Sequence, residues 1–168
     1  ILAKILESGC RALERLAVDE NNIYTIMKEG GVKTLCSILK ANLENDKVAI
    51  SALSALTAMA TRKENCVYIA KCGAVEAAVA LLKAHPDNAR VARHVLEFIQ
   101  AMAKDEQSIN QVVQGGGIES VVGILKTFPE DVEIQSLGIK VLGMLGISET
   151  NIDRIANAGG YPVVVASM

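Results

Sequence analysis

The sequence has no tryptophan, and aromatic residues fill only 3% of its 168 positions. No indole is present to serve as a platform for a cation. Charge of one sign is also lacking. Seventeen basic residues stand against nineteen acidic ones, a net charge of −2. A nucleic-acid binder normally carries a strongly basic face, so no nucleic-acid partner is expected. No apolar run approaches the roughly 20 residues needed to span a bilayer, so direct membrane insertion is not expected either. No signal peptide is visible, and the chain opens on Ile1 rather than Met. The four cysteines, Cys10, Cys36, Cys66 and Cys72, form no CxxC pair, and His85 and His94 do not cluster with them. A zinc site needs four well-spaced ligands. No metal or other cofactor is expected, and the thiols read as reduced groups of an intracellular protein, cytoplasmic or nuclear.

Apolar residues are abundant, at 51%, and are mostly Ala, Val, Leu and Ile. Together with 21% charged residues this argues against disorder. A chain of this length can bury about 70% of its unfolded surface.

Self-similarity organises these residues. The segments KEGGVKTLCSILK, KCGAVEAAVALLK, QGGGIESVVGILK and NAGGYPVVVASM align on Gly30, Gly73, Gly116 and Gly159, 43 residues apart with no insertion. Other columns keep the same period: Ile26, Ile69, Val112 and Ile155; Leu39, Leu82, Leu125 and Met168; Ile5, Val48, Val91 and Ile134; Leu13, Leu56, Ile99 and Leu142. So many matched apolar columns mark a repeat architecture.

One unit can be read from Asp19 to Thr61. Asn22 reads as an N-cap for a short first helix carrying Ile23, Ile26 and Met27. Gly30 ends that helix, because glycine accepts the left-handed conformation at a helix C-terminus. A second helix carries Val32, Leu35, Ile38 and Leu39 on one stripe. A polar turn follows, with Asn45, Asn88 and Asp131 in one column as N-caps of the third helices. The third helix turns Val48, Ala52, Leu53, Leu56, Met59 and Ala60 inward. Third helices are predicted at 46–61, 89–104 and 132–147.

The complete units are 19–61, 62–104 and 105–147. Residues 1–18 match only a third helix, through Ile5, Cys10, Leu13, Leu16 and Ala17, and 148–168 match a first helix and the start of a second. Both ends are apolar where a terminal repeat is normally capped by polar residues, which predicts a fragment of a longer array. The whole of 1–168 is expected to form a single solenoid.

A 43-residue, three-helix unit with Gly73-Ala74-Val75 between its first and second helices, Asn65 before it, Leu81-Leu82 after it, and Ala55-Leu56 with Met59-Ala60 closing the preceding third helix resembles the armadillo repeat. Gly159-Gly160-Tyr161-Pro162 is similar to that family's Gly-x-Ile-Pro entry to the second helix. The resemblance covers essentially all residues. It implies an all-α fold, a right-handed superhelical solenoid whose third helices line a concave groove. Family members such as importin-α and β-catenin bind extended peptides there. Importin-α clamps the peptide backbone with a ladder of Asn and packs its basic side chains on a ladder of Trp. Here the Asn column holds Arg15, Ala58, Ala101 and Met144, and the Trp column holds Arg11, Ser54, Glu97 and Lys140. Alanine cannot supply the donor and acceptor of an Asn amide, so an importin-like reading of basic signals is not implied.

The resemblance implies a groove floor of Arg11, Arg15, Ser54, Ala58, Arg93, Glu97, Ala101, Lys140 and Met144, with charged residues flanking an apolar strip at Ala58, Ala101 and Met144. The unit at 62–104 has seven basic and four acidic residues, and that at 105–147 has two and six. The basic unit could serve an acidic partner segment. No catalytic constellation emerges. Gly115-Gly116-Gly117 has neither a preceding strand nor a following GK[ST], and the repeat explains it as a break between helices. The reading is a non-enzymatic protein-interaction scaffold that presents its groove to a protein or peptide. The alternative is a structural or regulatory segment that docks within a larger protein or self-associates through its exposed ends.

Overall fold

A computed structural model describes residues 1–166, and these form twelve α-helices with no strand. Helix α1 spans Leu2–Leu16. Three triplets follow: α2 (Glu20–Lys28), α3 (Gly31–Ala41) and α4 (Asp46–Met59); α5 (Lys63–Lys71), α6 (Ala74–Ala84) and α7 (Ala89–Met102); α8 (Glu106–Gln114), α9 (Gly117–Thr127) and α10 (Val132–Leu145). Helices α11 (Glu149–Asn157) and α12 (Gly160–Ala166) continue the register. Every helix of one triplet starts 43 residues after its counterpart. Met168, expected in the Leu39 column, lies outside the described residues.

The helix ends follow from local chemistry. Gly30, Gly73, Gly116 and Gly159 have φ of 82°, 79°, 92° and 83°, and each separates a first helix from a second. A side chain at such φ is strained, which is why glycine recurs there. Asn45, Asn88 and Asp131 cap the third helices by accepting from Val48, from Arg90 and Val91, and from Ile134 N–H groups respectively.

The third helices stop at Met59, Met102 and Leu145, two residues before the predicted ends. The cap of the first helix also differs from expectation. Asp19, not Asn22, is the N-cap of α2, and its carboxylate accepts from Asn22 N–H. The Asn22 amide instead donates backwards to the Leu16 carbonyl at 2.9 Å. Asn65 and Asn151 repeat this bond to Met59 at 3.2 Å and to Leu145 at 2.8 Å. The Asn column thus satisfies the last carbonyls of the preceding third helix and fixes the corner between units. In the third unit Ser108 replaces Asn and forms a capping box with Asp105.

Packing is layered. The third helices α1, α4, α7 and α10 lie side by side in order, and each second helix packs on its own third helix. Leu35 and Leu39 of α3 and Leu53, Leu56 and Met59 of α4 are fully buried, as are Leu81 of α6 and Leu96, Phe98 and Ile99 of α7 in the next unit. Ion pairs and hydrogen bonds tie neighbouring units: Arg62 to Glu20, Arg154 to Glu119, and Lys40 and Lys126 to the Cys72 and Ala158 carbonyls.

Helix α1 departs from expectation on one side. Ile5 and Leu16 were assigned to apolar columns, yet they are 62% and 53% exposed. With Gly9 and Ala12 they form one exposed stripe, whereas the counterparts Val48, Ala52, Ala55 and Met59 of α4 are all buried. In α4 that stripe meets a second helix, and among the described residues none lies on α1.

Candidate functional site: the open face of the third helices

Burial divides α4 and α7 sharply. On α4, after its first turn, only Ser54, Thr57 and Ala58 escape full burial. On α7 the open positions recur as Arg93, His94, Glu97, Gln100 and Ala101. The 3.6-residue period makes positions four and three apart a single stripe. Adjacent third helices therefore present adjacent stripes on one surface.

All nine groove residues named from the sequence lie on these helices. Arg11, Arg15, Glu97 and Lys140 are exposed, and Ser54, Ala58, Ala101 and Met144 are half-buried. Arg11 turns along its own helix to Glu7 at 2.6 Å.

Arg93 was read as a charge available to a partner. The structure shows that it also has partners within the chain. One guanidinium nitrogen donates to Asp131 at 3.0 Å and another pairs with Glu133 at 2.8 Å, which ties α7 to the start of α10. The hydrogen bond that Arg93 donates to Asp131 pushes the Arg93 pKa still higher. Asp131 is held below the usual carboxylate range, first by the Ile134 N–H and then by Arg93. The acidic start of α10 is thereby partly neutralised by the second unit.

Three cations missed in the sequence reading join this face. Lys4, Lys47 and Arg90 begin α1, α4 and α7, 43 residues apart. All three are exposed, and among the described residues none of their head groups forms an ion pair. Their spacing was a signal available in the sequence, but positions near a helix start are easily read as turn.

Both histidines lie against backbone carbonyls. His85 Nε2 lies 2.7 Å from the Leu43 carbonyl of the previous unit, and His94 Nδ1 lies 3.0 Å from the Arg90 carbonyl. Burial pushes the Cys36 and Cys66 thiols up to about 11 and raises that of Cys10. Among the described residues no group of three His, Cys, Asp or Glu side chains converges as a metal site would require. No single described helix is long and apolar enough to cross a membrane. A second concavity, a cleft of about 670 Å³, opens between first helices α2 and α5 beside Tyr24, Met27, Arg62 and Tyr68.

The sequence profile of the GAC ARM domain matches residues 1–168. The chain belongs to the GAC ARM domain family. Solved structures agree with this armadillo assignment. An engineered protein shares 26% identity with a TM-score of 0.85, over 97% of this chain and 65% of its own. A second engineered protein shares 23% identity at a TM-score of 0.85, covering 96% of this chain and 66% of its own. The armadillo chain thus spans just under two thirds of each. A designed armadillo repeat protein, solved in complex with the peptide (KR)4, shares 18% identity at a TM-score of 0.64, with 93% of this chain and 82% of its own covered. No curated protein matches the sequence. The armadillo-repeat solenoid read from the 43-residue period is therefore the fold of this chain, and the fold supports a protein-interaction role.

Proposed function

We propose that this armadillo chain is a non-enzymatic scaffold whose third-helix face holds an extended segment of a partner protein. One observation carries the reading. Beyond the first turn, the face that carries Ser54, Thr57 and Ala58 of α4 and Arg93, His94, Glu97, Gln100 and Ala101 of α7 stays open while the other positions of both helices are buried. The peptide complex of a designed armadillo repeat protein supports a peptide partner in general terms. Ala58 and Ala101 make the floor smooth, so side chains rather than an Asn clamp would direct recognition. Exposed charge pairs contribute about 0–1 kcal/mol each, so several must act together. The four free thiols, three of them buried, suit a reducing intracellular compartment, cytoplasmic or nuclear.

The test uses peptides selected from a random display library against the whole chain. Ala58→Arg with Ala101→Arg should abolish their binding, and Lys28→Glu with Lys71→Glu on the first helices should leave it intact. The reverse pattern would place the site in the first-helix layer, where the α2–α5 cleft lies.

The uncovered stripe of α1 favours a second reading, self-association through the ends. Helix α12 is a second helix without a third helix on it among the described residues, and α1 is a third helix without a second. The exposed Ile5 and Leu16 of α1 in one copy would then pack against the exposed Tyr161 and Val165 of α12 in another. Such a contact is heterologous and would build chains of copies. Ile5→Lys should then abolish any concentration-dependent increase in sedimentation rate. A chain that sediments as a monomer at every concentration would rule this reading out.

A further inference from the structure

The open face carries a charge opposite to that of the whole chain. Across α1, α4 and α7 it presents Lys4, Arg11, Arg15, Lys47, Arg90 and Arg93 against Glu7, Glu14 and Glu97. Two of these cations are already engaged, Arg11 by Glu7 and Arg93 by Asp131 and Glu133. Lys4, Arg15, Lys47 and Arg90 remain without an ion pair among the described residues. The acids that could quench them are partly committed as well. Asp46 accepts a hydrogen bond from the Asn88 amide at 3.2 Å, and Asp131 and Glu133 are held by Arg93. Glu44 and Asp87 lie back in the turns, three residues before Lys47 and Arg90.

Spacing adds to charge. Lys4, Lys47 and Arg90 occupy one repeat position on three adjacent helices, and packed helices lie about 8–10 Å apart. A polyproline II segment has three residues per turn and rises about 3.1 Å per residue, so equivalent side chains recur about every 9.3 Å on one side. A β-strand would turn every third side chain to its opposite face.

We propose that the occupant of this face is an acidic polyproline II segment with a carboxylate at every third residue, one for each of Lys4, Lys47 and Arg90. The inference rests on the scaffold reading above and names the chemistry of its partner. Arg15 lies further along the same stripe and meets an additional acidic side chain of the segment. Binding weakens with salt, because exposed charges are screened.

The experiment is a fluorescence anisotropy titration of the whole chain with a labelled peptide of four Glu-Pro-Pro triplets, at low and at physiological ionic strength. Saturable, salt-sensitive binding is expected, and a peptide of four Lys-Pro-Pro triplets should bind at least about tenfold more weakly. Lys47→Glu with Arg90→Glu should lose about tenfold in affinity with an unchanged helical spectrum. Lys47→Ala with Arg90→Ala, a milder change, should lose part of that. Three results overturn the inference: no binding of the acidic peptide, equal binding of the two peptides, or tighter binding of single-stranded DNA than of the acidic peptide. If both peptides bind equally and Ala58→Arg with Ala101→Arg abolishes both, the acidic preference fails and the scaffold reading stands. If Lys28→Glu with Lys71→Glu abolishes binding instead, both fail.

Discussion

Two glycines of α10 face opposite surroundings, and substituting each by alanine separates packing from helix propensity. A Cβ on Gly138 would stand 2.6 Å from Leu125 Cδ2 and 3.0 Å from its Cγ, whereas a Cβ on Gly143 would meet nothing within 4 Å. Leu125 is 1% exposed, so it has no free space into which to swing. Replacing a helical glycine by alanine gains about 0.5–1 kcal/mol at either position. At Gly138 the extra methyl also overpacks the α9–α10 contact, which costs about 1–3 kcal/mol. The propensity gain largely cancels between the variants, so their difference reports the overpacking alone. Urea unfolding followed by far-UV circular dichroism measures it. Gly143→Ala should raise the midpoint, and Gly138→Ala should fall below it by the equivalent of about 1–3 kcal/mol. The comparison holds when both variants keep the parental slope, since repeat arrays can lose cooperativity. A Gly138→Ala midpoint at or above that of Gly143→Ala would refute the packing of α9 on α10.

Other perturbations follow from the same contacts. Leu56→Ala should cost about 2–5 kcal/mol in denaturant unfolding, because Leu56 is fully buried and leaves a cavity. Thr57→Ala should cost much less, since Thr57 is half-buried and its hydroxyl donates to the Leu53 carbonyl of its own helix. Hydrogen bonds from Ser108 to Asp105, and from the Ile134 N–H and Arg93 to Asp131, lower both carboxyl pKa values in the folded state. The stability they lend is present above the ordinary carboxylate range and is lost as pH falls below about 4. Asp131→Asn should flatten the acid limb of the stability profile, and an unchanged limb would contradict this. Iodoacetamide followed by mass spectrometry should modify half-buried Cys72 before Cys36 and Cys66, whose thiols are buried and held near 11. Equal rates at all three would show that the core opens readily.

The repeat was legible because one period controls both burial and helix ends. Val48, Val91 and Ile134 share a column because each faces the same neighbour, and Asn45, Asn88 and Asp131 share one because each caps the same helix. Asn22 shows how a column can be seen and its role misread. Asn suits an N-cap, but Asp19, three residues earlier, already serves the Asn22 N–H, and the amide is free to reach back to Leu16. Ile5 and Leu16 show that a column assigns a position and not its burial, which depends on the helix packed against it. Arg93 marks the limit for the site. Its helical position was readable, but its partners Asp131 and Glu133 are 38 and 40 residues away and meet it only when units stack. Lys4, Lys47 and Arg90 were visible as a 43-residue series, whereas the engagement of Asp46 by Asn88 and of Asp131 and Glu133 by Arg93 depends on how the units stack.

The central claim is that partners lie along the third helices, and amide chemical shifts of the isotopically labelled chain test it most directly. On titration with the peptide of four Glu-Pro-Pro triplets, the largest shifts should fall on Lys47, Ser54, Ala58, Arg90, Glu97 and Ala101, with α2, α5 and α8 nearly silent. Shifts concentrated on Tyr24, Lys28, Tyr68 and Lys71 instead would contradict it and move the interaction to the first-helix layer.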